Sequence, residues 1–207
     1  MARRLRQRWI AFDLGGVLFD IDVDRYFDGA ARDFSVAREA VARATFDAGC
    51  WPLAERGYLD GPSFLGAVLV RLGQPAGAAE VDRLRRCWNA ILTLRPGVPM
   101  LLARLARPAV AWSNTDPEHA ATIAALLAPP CDWSRSTLSC AIRVEKPNPD
   151  FYQQALARLA ATPAQVCYVD DRSDNVAAAV ALGIDGFVAS SLGGVHSGLA
   201  ARGLLLH

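Results

Sequence analysis

Short, nearly unbroken apolar runs recur along this chain, and the clearest of them stop on polar side chains. WIAFDL (9–14) carries Asp13 and leads into Gly15-Gly16, AVAWSN (109–114) ends on Ser113 and Asn114, and QVCYVDD (165–171) ends on Asp170 and Asp171. A weaker run, LSCAIRV (138–144), stops just before Lys146, and DGFVAS (185–190) follows. A strand exposed on one face alternates apolar and polar residues. Runs that are apolar at nearly every position suit strands buried on both faces of a parallel sheet.

Between the runs lie helical patterns with readable ends. Pro96 stands at the start of PGVPMLLARLA, Asp116-Pro117 opens DPEHAATIAALLA, and Asn148-Pro149 opens PDFYQQALARLA. Ser173 or Asp174 opens DNVAAAVALG, which Gly183 closes. These are the expected residues for helix starts and stops. Strand and helix alternate from residue 97 onward, the grammar of a doubly wound α/β sheet. Residues 23–92 break that grammar and show only helical periods, with Phe64, Leu65, Val68 and Leu69 on one face and Val81, Leu84 and Trp88 on another. The expected fold is a Rossmann-like doubly wound parallel sheet (α/β) formed by 1–20 and 94–207, with an inserted α-helical subdomain over 21–93.

Of the 22 basic side chains only one, Lys146, is lysine. A net charge of +1 gives no reason to expect a nucleic-acid or anionic-membrane partner. No apolar run reaches the ~18 residues that span a bilayer. The basic start is followed by only a short apolar segment, interrupted at Asp13, which argues against a signal peptide. Five scattered cysteines without a CxxC pair suit a reduced cytoplasmic protein.

In open parallel sheets, ligands bind beyond the carboxyl ends of the strands. There the loops would gather Asp13, Ser113-Asn114-Thr115, Asp170-Asp171 and Glu145-Lys146. Crowded carboxylates repel and call for a cation. An all-oxygen donor set suits Mg²⁺, and a lysine with a turn of backbone donors suits a phosphate dianion.

FDLGGVLFD, WSNT, EKPNPDFY and VDDRSDN resemble, in order and spacing, the four motifs of the haloacid dehalogenase-like (HAD) superfamily. The helical insert resembles that family's C1-type cap, and the likeness spans about residues 9–190. FDLGGVLFDID and the double aspartate look closest to the glucose-1-phosphatase type of sugar-phosphate phosphatase, with the phosphatase domain of soluble epoxide hydrolases a more distant likeness. The resemblance implies a Mg²⁺-dependent phosphatase acting on a small phosphorylated molecule. Asp13 would be the nucleophile and a metal ligand, Gly15 and Asp171 further ligands, and Asp170 and Asn175 would hold metal-bound waters. Which of Asp170 and Asp171 binds metal directly is left open, although register favours Asp171. Ser113, Asn114 and Gly16 would bind the phosphoryl oxygens, and Lys146 would neutralise charge. Oligomeric state is open.

The chain departs from that pattern at Gly15, where most phosphatases of the superfamily have an acid/base aspartate. Asp20 or Asp22 could assist instead. A 2-haloacid dehalogenase using the same Asp13, or a catalytically impaired phosphate-binding module, are the alternatives. Substrate contacts are expected within Phe46 to Tyr58. His119, His196 and His207 read as surface or capping residues, and Trp88, Trp112 and Trp133 as packing. Arg3, Arg4, Arg6 and Arg8 read as a solvated terminus, and the glycine-rich 193–198 as a flexible turn.

Overall fold

Each apolar run contributes to one parallel sheet, though not always over its full length. The computed structural model describes residues 8–47, 49–127 and 131–206, so the arginines at 3, 4 and 6, and His207, lie outside the described residues. The chain begins β1 (Trp9–Phe12), β2 (Phe19–Ile21), α1 (Val23–Phe34) and α2 (Arg38–Ala42), which passes into a π-helical turn (Arg43–Asp47). It continues through α3 (Cys50–Glu55), α4 (Gly61–Arg71), α5 (Ala78–Asn89) and β3 (Leu92–Leu94). Strands and helices then alternate: α6 (Val98–Ala103), β4 (Ala109–Ser113), α7 (Pro117–Leu127), β5 (Thr137–Leu138), α8 (Ser139–Ile142) and α9 (Pro149–Leu159). Last come β6 (Val166–Asp170), α10 (Ser173–Ala181), β7 (Asp185–Val188) and α11 (Leu192–Ala201).

The sheet order is β5-β4-β1-β6-β7, all parallel. Both faces are covered, which explains the unbroken apolar runs. Ile10 and Phe12, with Ala109, Ala111, Cys167 and Val169, pack with Leu101, Leu102, Ile123, Val195 and Leu199 of α6, α7 and α11. The intervening Ala11, Val110, Trp112, Val166 and Tyr168 pack with Phe151, Tyr152, Ala155 and Leu159 of α9. The helices lie on both faces of a parallel sheet, so the fold is Rossmann-like α/β. The chain leaves central β1 toward β4 on one side and β6 on the other, so the ends of these three strands meet where the strand order reverses.

The helical segment has an apolar core of its own, built on Tyr26, Phe64, Leu65, Val68, Leu84 and Trp88. Asp60 caps α4 by accepting the Ser63 N–H at 2.8 Å, with Pro62 in the first turn. The chain enters and leaves this segment through an antiparallel ribbon of β2 and β3, pairing Phe19 with Leu94 and Ile21 with Leu92. The sequence shows no sign of this ribbon, because three residues are too few to display a two-residue period.

Three local expectations are corrected. The run 138–144 keeps only Thr137–Leu138 as strand and then turns into α8. Hydroxyls take over the hydrogen bonds that a longer edge strand would make: Ser136 Oγ accepts the Ala111 N–H, and Ser139 Oγ accepts the Thr115 N–H, both at 2.9 Å. Residues 193–198 lie inside α11 rather than in a turn, capped by Ser191, which accepts the Gly194 N–H at 3.1 Å. That helix needs a glycine at 198, because the Phe187 ring fills the place of a side chain there. His119 is buried instead of exposed, whereas Trp88 and Trp112 are packing residues as expected. No helix among the described residues is long and apolar enough to cross a membrane.

Candidate active site

Asp13 follows β1 directly, and its N–H is held by the Val169 carbonyl of the neighbouring strand at 2.8 Å. Ser113 ends β4 and Asp170 ends β6, so parallel pairing alone brings the three side chains to one edge. Lys146, in the loop before α9, reaches into this group. Its Nζ lies 2.9 Å from Asp13 Oδ1 and 2.7 Å from Asp170 Oδ2, and its side chain is 1% exposed. Asn114 positions it: Lys146 N–H donates to Asn114 Oδ1 at 2.8 Å, and Asn114 Nδ2 donates to the Lys146 carbonyl at 3.0 Å. The Lys146 backbone thus takes Oδ1 and one of the two Nδ2 hydrogens of the amide expected to face a phosphate. The Lys146–Pro147 peptide is cis.

Asp170 and Asp171 are adjacent in sequence but differ in their surroundings. Asp170 accepts from Lys146, from the Tyr168 hydroxyl, from Asn175 Nδ2 at 3.1 Å and from the Arg172 N–H at 2.8 Å. Burial pushes its acidity one way, but the Lys146 charge and these donors prevail and hold the carboxyl below the usual range. Asp171 is half-buried, and burial together with the charge of Asp170 raises its pKa. Asp13 is also raised, by burial first and by Asp170, against the pull of Lys146. Carboxylate oxygens of Asp13, Asp170 and Asp171 all lie within 4.8 Å of one another.

Among the described residues, three carboxylates share one ammonium, Lys146, which leaves two formal negative charges for a further cation. The donors are all hard oxygens, so the cluster fits a divalent ion such as Mg²⁺. Gly16 has φ +69°, and the Asp171 carboxylate fills the space beside it. Its N–H donates to the Phe19 carbonyl at 2.9 Å. Gly16 thus makes room for Asp171 rather than offering its N–H to a phosphate. Gly15 faces Ile21, 3.4 Å from where a Cβ would stand. Asp20 and Asp22 are engaged in ion pairs, with Arg95 at 2.7 Å and Arg25 at 3.1 Å, and both aspartates are more than 40% exposed.

The sequence reading missed Tyr168. It sits two residues before Asp170 on the same strand face, and that spacing was the available signal. Also missed was a link between the insert and the sheet. Trp88 Nε1 donates to Asp116 Oδ2 at 3.3 Å, and His119 Nδ1 lies 2.9 Å from the same oxygen. His119 Nε2 is 3.2 Å from the Trp88 carbonyl, and the two rings stack with centroids 4.6 Å apart. Asp116 also caps α7, accepting the N–H groups of Glu118 at 2.8 Å and His119 at 3.2 Å. Arg85 of α5 adds an ion pair to Glu118 at 2.7 Å.

Between the insert and the sheet lies a cavity of about 210 Å³, bordered by Gly15 and by the turn Ser113–Thr115. Of the segment Phe46 to Tyr58, Phe46 and Trp51 line it. Tyr58 lies elsewhere, 57% exposed under the Arg143 guanidinium, and Ala48 is outside the described residues.

A family model described as haloacid dehalogenase-like hydrolase matches residues 7–183. Among solved structures, a HAD family enzyme of Bacteroides thetaiotaomicron, in complex with magnesium and inorganic phosphate, superposes with a TM-score of 0.74 at 19% identity, over 88% of this chain and 93% of that one. A predicted HAD-like hydrolase of Porphyromonas gingivalis gives 0.67 at 20% identity, over 88% and 91%. The L-2-haloacid dehalogenase of Xanthobacter autotrophicus gives 0.60 at 27% identity, over 87% and 76%. The match runs through all four polar strand-end loops, and the chain belongs to the haloacid dehalogenase-like hydrolase family.

Proposed function

We propose that this hydrolase is a Mg²⁺-dependent phosphatase of small phosphomonoesters, with residues 21–93 as the cap over a core of 1–20 and 94–207. The observation that carries this reading is the uncompensated charge of Asp13, Asp170 and Asp171 around a single ammonium. Attack at carbon calls for no metal, whereas clustered carboxylates of this kind suit a cation that would assist attack at phosphorus.

Asp13 would attack phosphorus, the alcohol oxygen would leave, and an aspartyl-phosphate would form. Water would then attack that phosphorus, releasing inorganic phosphate and restoring Asp13. Lys146, tied to Asp170 and Asn114, has little freedom to move and would meet charge developing on the phosphoryl oxygens without reorganisation. Ser113 would orient one of those oxygens. Asp171, with Asp13 and the Gly15 carbonyl, would hold the metal, while Asp170 is occupied mainly with Lys146, Tyr168 and Asn175. Bound there, Mg²⁺ would supply positive charge to the phosphoryl group. Gly15 provides no carboxyl to protonate the leaving oxygen. Cysteines outside any disulfide among the described residues support a reduced, cytoplasmic setting, and the net charge gives no support for nucleic-acid or membrane partners.

A second reading, 2-haloacid dehalogenation, is favoured by the 27% identity to the Xanthobacter autotrophicus enzyme. One screen separates the two. Phosphate release from a panel of phosphomonoesters, abolished by chelator and by Asp13→Asn, supports the phosphatase. Phosphate release undiminished in chelator refutes the metal's part. Chloride release from 2-chloropropionate without any phosphate release transfers the protein to the dehalogenase reading.

A further inference from the structure

The cavity at the cap–core seam is apolar almost throughout. Phe46, Trp51 and Trp88 form an aromatic wall with centroids 5.2–6.3 Å apart, faced by Ile21, Ile91 and Leu92. Among the described residues, no side chain bearing a fixed charge lines it.

Its polar groups are largely committed already. Both ring nitrogens of His119 are taken, by Asp116 and by the Trp88 carbonyl. The Asn114 amide is bound at both ends by the Lys146 backbone, and the Thr115 N–H is bound by Ser139. Ser113 ends β4, the strand paired with the one that leads to Asp13, where a phosphoryl group would be. A sugar placed here would bury hydroxyls with few partners, and each such hydroxyl lowers affinity by roughly tenfold or more. An apolar cavity of about 150 Å³ is enough to hold benzene. At about 210 Å³, this one accepts a single ring or a branched alkyl group.

Resting on the phosphatase reading above, we infer that the substrate is the phosphomonoester of a small apolar alcohol or phenol, its ring seated against the wall of Phe46, Trp51 and Trp88, rather than a sugar phosphate. Gly15 agrees with this assignment. A phenol leaves as a stable anion and needs little protonation, and the neighbouring Ile21 extends the apolar floor to the position where an acid would stand.

The test compares benzyl phosphate with glucose 6-phosphate. Both release a primary alcohol, so leaving-group basicity is nearly matched and the kcat/KM ratio reports the cavity. The expected ratio favours benzyl phosphate by about 100-fold or more. Phe46→Asn, at a half-buried position, should narrow that ratio at least tenfold through KM, with circular dichroism confirming that the fold is retained. Phenyl phosphate should be the fastest of the three. A ratio near one, or one favouring the sugar, overturns the substrate class and leaves the phosphatase reading standing. A ratio unchanged in Phe46→Asn overturns the placement of the ring. If no phosphomonoester is hydrolysed at any Mg²⁺ concentration, the phosphatase reading itself falls.

Discussion

Asp171 occupies the space that a side chain on Gly16 would need. Gly16 also has φ +69°, where a Cβ is strained by about 1 kcal/mol. Gly16→Ala should therefore push the Asp171 carboxylate out of the cluster while leaving Asp13 and Lys146 in place. The expected result is at least a tenfold loss of Mg²⁺ affinity by calorimetry, with Tm lower by a few degrees. An unchanged Mg²⁺ affinity would remove Asp171 from the metal site.

Lys146 touches Asp13 and Asp170 at once, with room for a compact ammonium among buried side chains. A planar guanidinium is wider and cannot take that position between both carboxylates. Lys146→Arg should lower kcat by about 100-fold or more. Lys146→Met leaves two buried carboxylates facing each other and should cost about 3 kcal/mol of stability in urea unfolding. Normal turnover by the arginine variant would show that the chain's single lysine has no part in the chemistry.

At Gly15 a Cβ would meet only the Ile21 side chain, at ordinary contact distance. Gly15→Asp should thus be tolerated and would place a carboxyl beside the leaving group. General acid help is typically worth ~10²–10⁴-fold. Activity on benzyl phosphate should rise toward that range, while activity on phenyl phosphate changes little. Equal effects on the two esters would mean that the new carboxyl does not act as the acid.

Glu55, in the helical segment, is raised to about 7 by burial and by the charge of Glu145 across the seam. The folded protein thus binds this proton more tightly than the unfolded chain, whose glutamate titrates near 4.5. Stability should be full below pH ~4.5 as far as this group is concerned, and should fall as pH rises toward 7. The partly wet site puts the loss on the order of 1 kcal/mol. Glu55→Gln should flatten that part of the stability–pH curve in urea unfolding. A wild-type curve already flat between pH 5 and 7 would show that Glu55 ionises normally.

The apolar runs and their polar ends were enough to determine the parallel sheet, the helical interruption and the gathering of Asp13, Ser113, Lys146, Asp170 and Asp171. Burial on two faces suppresses alternation, and parallel pairing brings strand ends together; both effects are local in the chain or follow from topology. The tertiary structure alone decided how those residues share their work. Asp170 and Asp171 are neighbours in sequence, yet one is filled by Lys146, Tyr168 and Asn175 while the other stands over Gly16. Asn114 became the holder of Lys146, and His119 a buried clasp between Trp88 and Asp116. The apolar character of the seam also emerged only on folding, because Ile21, Phe46, Trp51 and Trp88 come from separate elements. A residue's type and spacing say what it can do. Which partner it meets depends on approach between segments far apart in the chain, and no local pattern records that.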